Sequence, residues 1–462
     1  MKQFHLRTGK VIDLFAGGGG ASLGLEMAGY PVDIAVNHDP EAIALHKINH
    51  PSTKHFNESV FDVDPIKVCD GSPVDILHLS PDCTHHSKAR GGKPVKKNIR
   101  ALPYVALKWA GKVKPRMITL ENVEEFQQWG KLVAKRCKKT NRVVKQCGTV
   151  AQKGEYVPYN EQQLVPSLKN KGETFKSFVN LLKKLGYDVS WKELRACDFG
   201  APTTRKRFFL VARCDGEPIR WPTPTHGVDD NVIPFKTAGE CIDFSNEGKS
   251  IFNRKKPLAQ NTMDRIGAGF KKFIEESDNP YIVRIGHTGT KTAKAYKVGE
   301  PLTTICTKNE HLLVTSNIIK LRNGCTGQSL NSPLDTITAG GGHFAEVRAF
   351  MLKYYGTGGD FNLNEPCHTI TTKDRFALVM VKGEPHILYD ITLRMLTPRE
   401  LYRCQGFPDS YVINFEYNGK PLTQKAQVRM CGNSVPPQLI EAIVRANMPE
   451  SILYEPAFKQ AA

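Results

Sequence analysis

Residues 11–20, VIDLFAGGGG, decide the fold of this chain, because an apolar strand pattern leads directly into a tight glycine turn. A short helix is predicted over residues 21–28, and Gly29 ends it. Glycines let the backbone approach a ligand closely, and the N-terminus of a helix favours negative charge. The stretch therefore predicts an α/β fold with a nucleotide-type cofactor at this turn. The plainer alternative is a tight turn that binds nothing.

A second strand, predicted over residues 32–37, ends in His38 and Asp39. An acid at the end of this strand commonly holds the ribose hydroxyls of a nucleotide cofactor. A helix pattern follows over residues 41–48. The order of strand, glycine turn, helix, strand and helix is that of a nucleotide-binding α/β domain.

The apolar run of residues 74–79 predicts a buried strand of a parallel sheet, and Pro81 stops it. Chemistry in open α/β sheets lies just beyond the carboxyl ends of the strands, so Cys83 stands where a nucleophile would be useful. Residues 85–93, which follow it, are polar, basic and glycine-containing, as is typical of a mobile loop. This stretch alone does not distinguish a nucleophile from a buried structural cysteine.

Charged residues flank two further strand patterns. Residues 117–120 form a short apolar run that ends at Glu121, a candidate acid or hydrogen-bond donor on the same sheet edge as the cysteine. The alternative is an N-cap acid for the next helix. Arg205 and Arg207 precede the apolar run of residues 208–212, where they either face a site or are ordinary surface charges.

The composition describes a chain of two or three domains with a strong excess of positive charge. The chain has 462 residues, a hydrophobic fraction of 40% and a net charge of +18. This excess favours a polyanionic partner, either nucleic acid or an anionic membrane surface. No stretch approaches the roughly 18 apolar residues of a membrane span, and we expect no signal peptide. Twelve cysteines without CxxC pairs indicate neither a zinc ribbon nor a disulfide framework, so a reducing, cytoplasmic setting is expected.

A basic segment, residues 131–147, lies between the Glu121 strand and the next predicted helix, residues 174–185. Its lysines and arginines are Lys131, Lys135, Arg136, Lys138, Lys139, Arg142 and Lys145. Such a run is either a solvated face or a phosphate-contacting surface. The apolar stripe of the helix that follows is predicted to face the core.

The middle of the chain contains an internal repeat that follows a proline-rich linker. The linker prolines are Pro218, Pro222, Pro224 and Pro234. Beyond them, three units align at Pro301, Pro333 and Pro366, each preceded by a strand pattern and a glycine turn, and residues 257–262 resemble a degenerate fourth unit. β-branched residues between glycine turns predict short strands. The region is therefore a β-rich module whose basic loops are candidates for recognition.

The α/β pattern returns near the C-terminus. Thr397, Pro398 and Glu400 have the spacing of a capping-box helix start. Residues 432–437, GNSVPP, are predicted to open a last amphipathic helix. The β-rich module is therefore predicted to be inserted into an α/β domain, which the C-terminal part of the chain completes.

As a set, these landmarks resemble the DNA cytosine carbon-5 methyltransferases, which use S-adenosylmethionine. The resemblance covers residues 11–215 and 390–447 in the family's order. The matching motifs are the cofactor loop at 13–19, the nucleophile motif Pro81-Asp82-Cys83, the glutamate motif Glu121-Asn122-Val123, the paired-arginine motif Arg205-Lys206-Arg207, the motif at 399–408 that follows the recognition domain, and the final motif at 432–436.

The resemblance implies a fold and a domain order. The fold is α/β: a Rossmann-like, S-adenosylmethionine-dependent methyltransferase domain, with a mostly parallel sheet and helices on both faces, and with a smaller β-rich target recognition domain inserted. Residues 1–215 and 389–462 would form the catalytic domain, and residues 216–388, with three to four repeats, the recognition domain. The implied partner is double-stranded DNA. We expect a monomer without a membrane partner in a bacterial or phage-infected cell, and a separately encoded restriction endonuclease if the enzyme belongs to a restriction–modification pair.

The resemblance also implies roles for individual residues. Cys83 would add to carbon 6 of cytosine, which makes carbon 5 nucleophilic. Glu121 would hydrogen-bond or protonate the nitrogen-3 edge, while Arg207 would hold the exocyclic oxygen and Arg205 would support the site. The target base must leave the duplex, so base flipping is implied. The implied cofactor contacts, with no metal expected, are Asp13, Phe15, Ala16, Gly17, Gly19, His38, Asp39, Asp62, Asn433, Ser434 and Val435.

The sequence departs from the family pattern at several positions. Asp82 and Thr84 flank the cysteine where the family usually has proline and glutamine. Thr203 stands where a glutamine commonly precedes the paired arginines. His38 occupies the position of a ribose-binding glutamate, so the neighbouring Asp39 is the predicted ribose contact.

Other functions compete with this interpretation. A nicotinamide oxidoreductase would use the same glycine loop, but it leaves Cys83, Glu121 and the repeat unexplained. A tRNA cytosine methyltransferase has a small recognition region, whereas a long insertion is present here. A catalytically inactive DNA-binding protein would not need the cysteine and the glutamate. Adenine amino-methylation needs an Asn/Asp-Pro-Pro-Tyr/Phe motif that the chain lacks at this strand end, and a zinc site at His85 and His86 has no further ligand nearby in sequence.

Overall fold

The computed structural model describes residues 9–81, 102–167, 169–236 and 397–448, and shorter stretches between them. The shorter stretches are 239–241, 243, 249–250, 255–257, 260, 281–284, 295–297, 311–315, 317–320, 344–347, 378–381, 384–387 and 392–395. The chain forms two compact units. Unit 1 comprises Met1–Pro234, Gln405–Ala426 and Asn433–Ala462, and unit 2 comprises Phe235–Cys404 and Gln427–Gly432.

A seven-stranded sheet forms the centre of unit 1, in the order β3-β2-β1-β4-β5-β9-β8. Its strands are β1 (Lys10–Leu14), β2 (Ile34–Val36), β3 (Lys54–Phe56), β4 (Val74–Leu79), β5 (Met117–Asn122), β8 (Asp188–Arg195) and β9 (Lys206–Arg213). The first five strands are parallel to their neighbours, whereas β9 is antiparallel to both β5 and β8. The predicted mostly parallel sheet is confirmed.

Helices lie on both faces of this sheet, because alternate residues of each strand face opposite sides. The helices of the described chain are α1 (Gly20–Met27), α2 (Pro40–Asn49), α3 (Pro65–Cys69), α4 (Val105–Lys112), α5 (Glu173–Lys184), α6 (Pro398–Cys404), α7 (Gln424–Asn433) and α8 (Pro437–Asn447). One face packs with α1 and α8 through Leu25 and Ile440, and the other packs with α4 and α5 through Trp109 and Phe178. Strands buried on both faces explain the continuous apolar runs in the sequence.

Local sequence signals set the helix starts. Asp39 is the N-cap of α2, and its carboxylate accepts hydrogen bonds from the backbone N–H groups of Glu41 and Ala42. In unit 2, the capping box predicted before α6 is confirmed. The Glu400 backbone N–H donates to Thr397 Oγ1 at 3.3 Å, and the Thr397 backbone N–H donates to Glu400 Oε2 at 2.6 Å.

The C-terminal segment differs from the sequence prediction in one respect. The pattern predicts that residues 432–437 open one last helix, but Asn433 is the final residue of a separate helix, α7, and α8 begins at Pro437. Pro436 and Pro437 separate the two helices. A proline has no backbone N–H to extend a helix, and it disfavours the helical conformation of the residue before it. The sequence of α7, QKAQVRMCGN, is too polar to reveal an apolar stripe.

A small β-lobe, residues 131–167, lies between β5 and α5. Its outer strands, β6 (Leu132–Ala134) and β7 (Leu164–Pro166), form an antiparallel pair. Isolated bridges continue the pairing inside the lobe, between Arg136 and Val143 and between Val144 and Val150. The sequence pattern identifies the charge of this segment but does not predict these strands.

The described strands of unit 2 are short and antiparallel. A five-stranded sheet has the order β12-β20-β15-β13-β14, and β16 with β17 and β18 with β19 form two-stranded antiparallel sheets. The strands of unit 2 are β12 (Lys249–Ser250), β13 (Tyr281–Arg284), β14 (Ala295–Lys297), β15 (His311–Thr315), β16 (Asn317–Lys320), β17 (Phe344–Val347), β18 (Leu378–Val381), β19 (Glu384–Ile387) and β20 (Thr392–Met395). The short strands predicted for the β-rich module are confirmed within the described residues. The repeat residues Pro301, Pro333 and Pro366 lie outside the described residues.

Unit 1 also contains two minor strand pairs. They are β10 (His226–Gly227) with β11 (Ile233–Pro234), and β21 (Glu416–Tyr417) with β22 (Lys420–Pro421). Among the described residues, no helix is long and apolar enough to cross a membrane. In the same part of the chain, no group of three or more His, Cys, Asp or Glu side chains is arranged to hold a metal ion.

We predict that Gly24→Ala destabilises unit 1 by about 1–3 kcal/mol, because the added Cβ would clash with the Pro437 carbonyl oxygen and lie 2.7 Å from Ile440 Cβ. The matched control is Gly111→Ala in α4, where a Cβ meets nothing within 4 Å. That change should raise the free energy of unfolding of unit 1 by up to about 1 kcal/mol, because alanine has a higher helix propensity than glycine. Urea unfolding of both variants is the measurement, and equal effects would contradict the packing of α1 on α8.

Candidate functional site

The candidate site lies at the carboxyl edge of the parallel strands, where β1 and β4 are neighbours and the chain leaves them in opposite directions along the sheet. This is the topological switch point at which open α/β sheets bind ligands. The two strand ends are joined, since the Ser80 backbone N–H donates to the Leu14 carbonyl at 3.3 Å and the Ser80 hydroxyl donates to the Phe15 carbonyl at 3.4 Å. The turn after β1 and the chain after β4 therefore start from one place.

The glycine turn after β1 requires left-handed backbone conformations. Phe15, Gly17 and Gly19 have φ angles of 66°, 53° and 89°, and Gly19 is the N-cap of α1. A Cβ on Gly19 would clash with the Tyr411 hydroxyl, whereas a Cβ on Gly17 would meet only the Phe15 carbonyl oxygen, at 3.7 Å. The predicted contacts Phe15, Ala16, Gly17 and Gly19 thus form one turn that is packed at Gly19 and open at Gly17.

The returning C-terminal segment holds this turn in place. The Tyr411 hydroxyl donates to the Gly18 carbonyl at 2.5 Å and lies 3.2 Å from His50 Nε2. Gln405 Nε2 donates to the Ser434 carbonyl at 2.7 Å. The Val435 carbonyl lies so close to Gly20 that no side chain fits there. Tyr411 has no sequence signal of its own, although the motif before it, at 405–408, indicates a turn.

Two of the residues predicted in the final motif lie against the turn, and one lies at its margin. Ser434 and Val435 are buried beside the start of α1. Asn433 is exposed at the end of α7. The cofactor turn and the final motif are therefore brought together by the tertiary structure, although most of the chain separates them in sequence.

The acidic candidates at the second strand have different surroundings. Asp39 Oδ1 accepts hydrogen bonds from the backbone N–H groups of Glu41 at 3.0 Å and Ala42 at 3.5 Å, so this carboxylate caps α2. The sequence pattern does not reveal this structural role. His38 and Asp62 are exposed. A ribose contact by Asp39 stays a prediction, and it would share the carboxylate with the helix cap.

The same edge of the sheet brings Glu121 and Arg207 together. Glu121, at the end of β5, is the register partner of Phe209 on the antiparallel strand β9. Arg207 Nε lies 3.2 Å from Glu121 Oε1, and only 14% and 9% of the two side chains are exposed. The arginine is therefore not a free surface charge, and the glutamate does not cap the next helical turn, which begins after Val123.

Arg205 and Thr203 order the chain that leads into β9. Arg205 is buried, and its backbone N–H donates to Thr203 Oγ1 at 3.3 Å. Thr203 is also buried, and its own N–H donates to the Ala201 carbonyl at 2.7 Å. The threonine that replaces the family's glutamine thus has a backbone-ordering role ahead of Arg207.

A hydrogen bond links the end of β4 to the end of β5. Asn122 Nδ2 donates to the Pro81 carbonyl at 3.3 Å, and Asn122 Oδ1 accepts from the Val123 backbone N–H at 2.9 Å. The position of Asn122 beside Glu121 in the glutamate motif is the only sequence signal for this contact. The predicted nucleophile Cys83, its neighbours Asp82 and Thr84, and the histidine pair that follows lie outside the described residues.

Comparison with known proteins decides the family. A family model for C-5 cytosine-specific DNA methylases matches residues 9–146 and 163–448. The chain belongs to this family. The enzyme class is accordingly DNA cytosine-5 methyltransferase, and the mixed α/β fold is that of the Rossmann-like methyltransferases. Residues 147–162, which are part of the β-lobe, lie outside the family match.

Several relatives are named type II methyltransferases. M.AgeI of Thalassovita gelatinovora is 26% identical, over 94% of this chain and 98% of its own length. M.XorII of Xanthomonas oryzae pv. oryzae is 28% identical, over 94% of this chain and 82% of its own length. M.AquIA of Picosynechococcus sp. is 25% identical, over 56% of this chain and 97% of its own length. This chain is thus similar to bacterial modification enzymes along most of its length.

A buried polar network lies next to the glycine turn of this methyltransferase. Asp13 Oδ2 accepts a hydrogen bond from Ser22 Oγ at 2.7 Å, and Ser22 Oγ lies 2.8 Å from His46 Nε2. His46 Nδ1 lies 2.8 Å from His55 Nε2. Because a hydroxyl has one proton, a Ser22 that donates to Asp13 requires the Nε2–H tautomer of His46, which in turn accepts at Nδ1 from His55.

Burial sets the charges of this network. Desolvation raises the pKa of Asp13 to about 7 against the lowering effect of the Ser22 hydrogen bond. Desolvation lowers the pKa of His55 to about 4 and, together with the nearby histidines, that of His46 well below its usual value. The Asp13 carboxyl therefore lies beneath the turn as a support that is partly protonated near neutral pH, and both imidazoles are neutral.

His78 extends the polar row across the sheet. It is the register partner of Asp13 on β1 and of Thr119 on β5. Its Nδ1 lies 2.8 Å from Thr119 Oγ1, and its side chain is fully buried. Desolvation lowers the pKa of His78 to about 3, so this histidine is neutral in the folded protein at physiological pH.

We predict that His78 makes unit 1 less stable in acid. Its pKa is about 3 in the folded protein and about 6.5 in the unfolded chain, so the unfolded chain binds the proton first. The stabilisation is therefore present above pH 6.5 and is lost as the pH falls towards 3. Between pH 7 and pH 5, the free energy of unfolding of His78→Gln should fall by about 2 kcal/mol less than that of the wild type.

Urea unfolding followed by tryptophan fluorescence measures this effect in unit 1, because all four tryptophans belong to it. The control is His38→Gln, which changes an exposed histidine and should follow the wild type. An unchanged acid dependence in His78→Gln would show that the buried imidazole is not the group responsible.

Proposed function

We propose that the enzyme methylates carbon 5 of cytosine in a specific duplex DNA sequence, through a covalent Cys83 adduct formed on a flipped base. The observation that carries the proposal is the Glu121–Arg207 pair at the carboxyl edge of the sheet. Asn122, next to this pair, is bonded to Pro81, and the nucleophile motif continues from Pro81 to Cys83. Glu121, Arg207 and Pro81, which ends the strand before the cysteine, thus lie at the same carboxyl edge of the sheet.

The chemistry needs a nucleophile and an acid because carbon 5 of cytosine is a weak nucleophile. The Cys83 thiolate adds to carbon 6, and the new S–C6 bond displaces the ring π electrons towards carbon 5 and nitrogen 3. Glu121 hydrogen-bonds or protonates nitrogen 3 and so accepts the developing charge. After methyl transfer, loss of the carbon-5 proton expels the thiolate and restores the ring.

Arg207 positions both the acid and the base in this proposal. Its Nε pairs with Glu121 Oε1, and its Nη1 donates to the Lys206 carbonyl at 2.8 Å. We assign Nη2 to the exocyclic oxygen of the base, because Nε is paired with Glu121 and one N–H of Nη1 is used by the Lys206 carbonyl. A fixed guanidinium would hold the carboxylate in one orientation before the base arrives, which reduces the reorganisation needed for reaction. Arg205 is assigned a supporting role ahead of the strand.

The glycine turn fits S-adenosylmethionine, which supplies an electrophilic methyl group when bound. The space beside Gly17 admits a ligand close to the backbone, because a Cβ built there meets a single atom within 4 Å. The N-terminus of α1 favours a carboxylate such as that of the methionine moiety. Asp39 and Asp62 are the acids proposed near the ribose, with His38 beside them, and Asn433, Ser434 and Val435 close the other side.

We assign target recognition to residues 216–388, within which the described strands of unit 2 lie. Short antiparallel strands joined by basic loops support this role, since loops on a rigid scaffold commonly carry recognition. The relatives named type II methyltransferases support modification of a specific sequence in a bacterial or phage-infected cell, beside a cognate endonuclease. A monomer in the cytoplasm is the expected form.

We predict that Cys83→Ala abolishes methyl transfer into duplex DNA but retains duplex binding, because only the covalent step is lost. Transfer from labelled S-adenosylmethionine and nucleoside analysis for 5-methylcytosine are the measurements. Cys214→Ala, which changes a half-buried free cysteine just after the end of β9, is the control and should be as active as the wild type. Duplex DNA with 5-fluorocytosine at the target should trap the wild type and not Cys83→Ala. Formation of 5-methylcytosine by Cys83→Ala would disprove the adduct.

We predict that Glu121→Gln lowers kcat by about 10²–10⁴-fold, the usual contribution of a general acid. Glutamine is nearly isosteric, so the fold should be retained. Binding of S-adenosylmethionine, measured by calorimetry, should change little, since the side chain lies at the end of β5 and not in the glycine turn. A variant with full activity would exclude Glu121 as the acid.

A further inference from the structure

We propose that the β-lobe, residues 131–167, is a second contact surface for the phosphate backbone of duplex DNA. The lobe belongs to unit 1 and does not include the residues assigned to the reacting base. The inference rests on the proposed function, because it needs a duplex bound at the carboxyl edge of the sheet. Four features of the lobe carry it: charge, order, attachment and composition.

The charge of the lobe is strongly unbalanced. Its basic residues are Lys131, Lys135, Arg136, Lys138, Lys139, Arg142, Lys145 and Lys153, and its acids are Glu155 and Glu161. Glu155 is used internally, because it forms an ion pair with Lys145. The positive charge is concentrated at one tip, where Lys135, Lys138 and Lys139 are exposed. A polyanion is the partner that such a surface favours.

The tip is a defined turn. The Cys137 backbone N–H donates to the Arg142 carbonyl at 2.8 Å, and the Asn141 N–H donates to the Cys137 carbonyl at 2.8 Å. Asn141 has a φ of 53°, which closes the turn. Lys138 and Lys139 lie within it, so the two ammonium groups extend from a turn whose backbone is already ordered, and binding would order little more than the side chains.

The body of the lobe has a small core of its own. Val144, Ala151 and Val157 are buried. Main-chain hydrogen bonds cross the lobe, from the Lys135 N–H to the Gln163 carbonyl at 2.7 Å and from the Gln163 N–H to the Val144 carbonyl at 2.8 Å. These contacts hold the basic tip on a folded platform.

Both ends of the lobe are attached at one place on the catalytic side of unit 1. The Ser167 N–H donates to the Lys131 carbonyl at 2.9 Å, and the Phe175 N–H donates to the carbonyl of the buried Trp129 at 3.1 Å. A Cβ on Gly130 would clash with the Asn170 carbonyl oxygen. The backbone entering the lobe at Gly130 is therefore in direct contact with the backbone leaving it at Asn170. Since Trp129 follows soon after the carboxyl end of β5, the lobe starts from the edge that carries Glu121.

The composition of the lobe favours a nucleic-acid contact over a solvated face. Tyr156 is 85% exposed and Tyr159 is 45% exposed, and tyrosine hydroxyls, like lysines, donate to phosphate oxygens. Both tyrosines lie in residues 147–162, which the family model omits, and the strands of the lobe are not part of the seven-stranded sheet. A segment outside the sheet that presents lysines and tyrosines near the edge that carries Glu121 has the features of a binding surface.

The test compares two triple variants of the full chain that lose the same charge. Lys135→Gln, Lys138→Gln and Lys139→Gln are combined in the lobe variant. Lys114→Gln, Lys183→Gln and Lys184→Gln are combined in the control. The control lysines are exposed and precede β5 and β8 at the opposite, amino-terminal edge of the parallel strands.

Affinity for a labelled duplex of fixed sequence is measured by fluorescence anisotropy between about 50 and 200 mM salt. For the lobe variant, we expect the slope of log K against log salt to fall in magnitude by about 0.9 for each lost phosphate contact, so by up to about 3. The affinity at the lowest salt should fall at least tenfold, while the control stays within about twofold of the wild type. Thermal unfolding shows that both variants are folded.

A lobe variant with the affinity and salt slope of the wild type would overturn the inference and leave the proposed function intact. An equal loss in the control would also overturn it, because the effect would then be one of net charge. If the wild type forms no 5-methylcytosine in duplex DNA, the proposed function fails first, and the inference fails with it. The trapping experiment with Cys83 thus distinguishes the two failures.

Discussion

The close contact between α1 and the returning C-terminal segment is the constraint on which the rest of unit 1 depends. Gly20 and Gly24 leave room only for the carbonyl oxygens of Val435 and Pro437. The glycine turn is therefore held in its conformation by contacts with the C-terminal segment. Because the closure entropy of a long connection grows slowly with length, the insertion of unit 2 between these segments costs little.

The buried polar network is a second consequence of that packing. Asp13, His46 and His78 are enclosed by apolar side chains and have a few hydrogen bonds in place of hydration. Desolvation raises the pKa of Asp13 and lowers those of His46 and His78, so that the neutral form of each is favoured. Such a network specifies one arrangement of β1, β4 and α1, because a misaligned arrangement would leave polar groups unpaired in an apolar environment. The order of the glycine turn is thus coupled to a buried polar network that extends across the sheet to Thr119.

The catalytic edge depends on one antiparallel strand. If β9 were parallel to β5, Arg207 would lie at the amino-terminal edge of the sheet. Its reversal places the start of β9 next to the end of β5, which forms the Glu121–Arg207 pair. The β-lobe begins shortly after β5 and the reversed strand follows it, so both are built on the same edge. Chemistry and the proposed phosphate contact therefore have a common origin in the topology of the sheet.

Much of the fold and the composition of the site are determined by the sequence itself, because the responsible signals are local. The apolar runs of the strands, the glycine turn over residues 16–20 and the capping box at Thr397 are each formed by residues close together in the sequence. The side chains proposed for catalysis, Cys83, Glu121 and Arg207, likewise stand in short sequence motifs. These signals do not require knowledge of what packs against them.

Contacts between distant segments were decided only by the tertiary structure. The sequence does not show that Tyr411 bonds to Gly18, that Asn122 bonds to Pro81, or that the Asp39 carboxylate caps a helix. Nor does it show that the basic segment is a folded lobe. The physical reason is that each depends on which surfaces meet once the core is packed, and a side-chain hydrogen bond carries no periodic pattern along the chain.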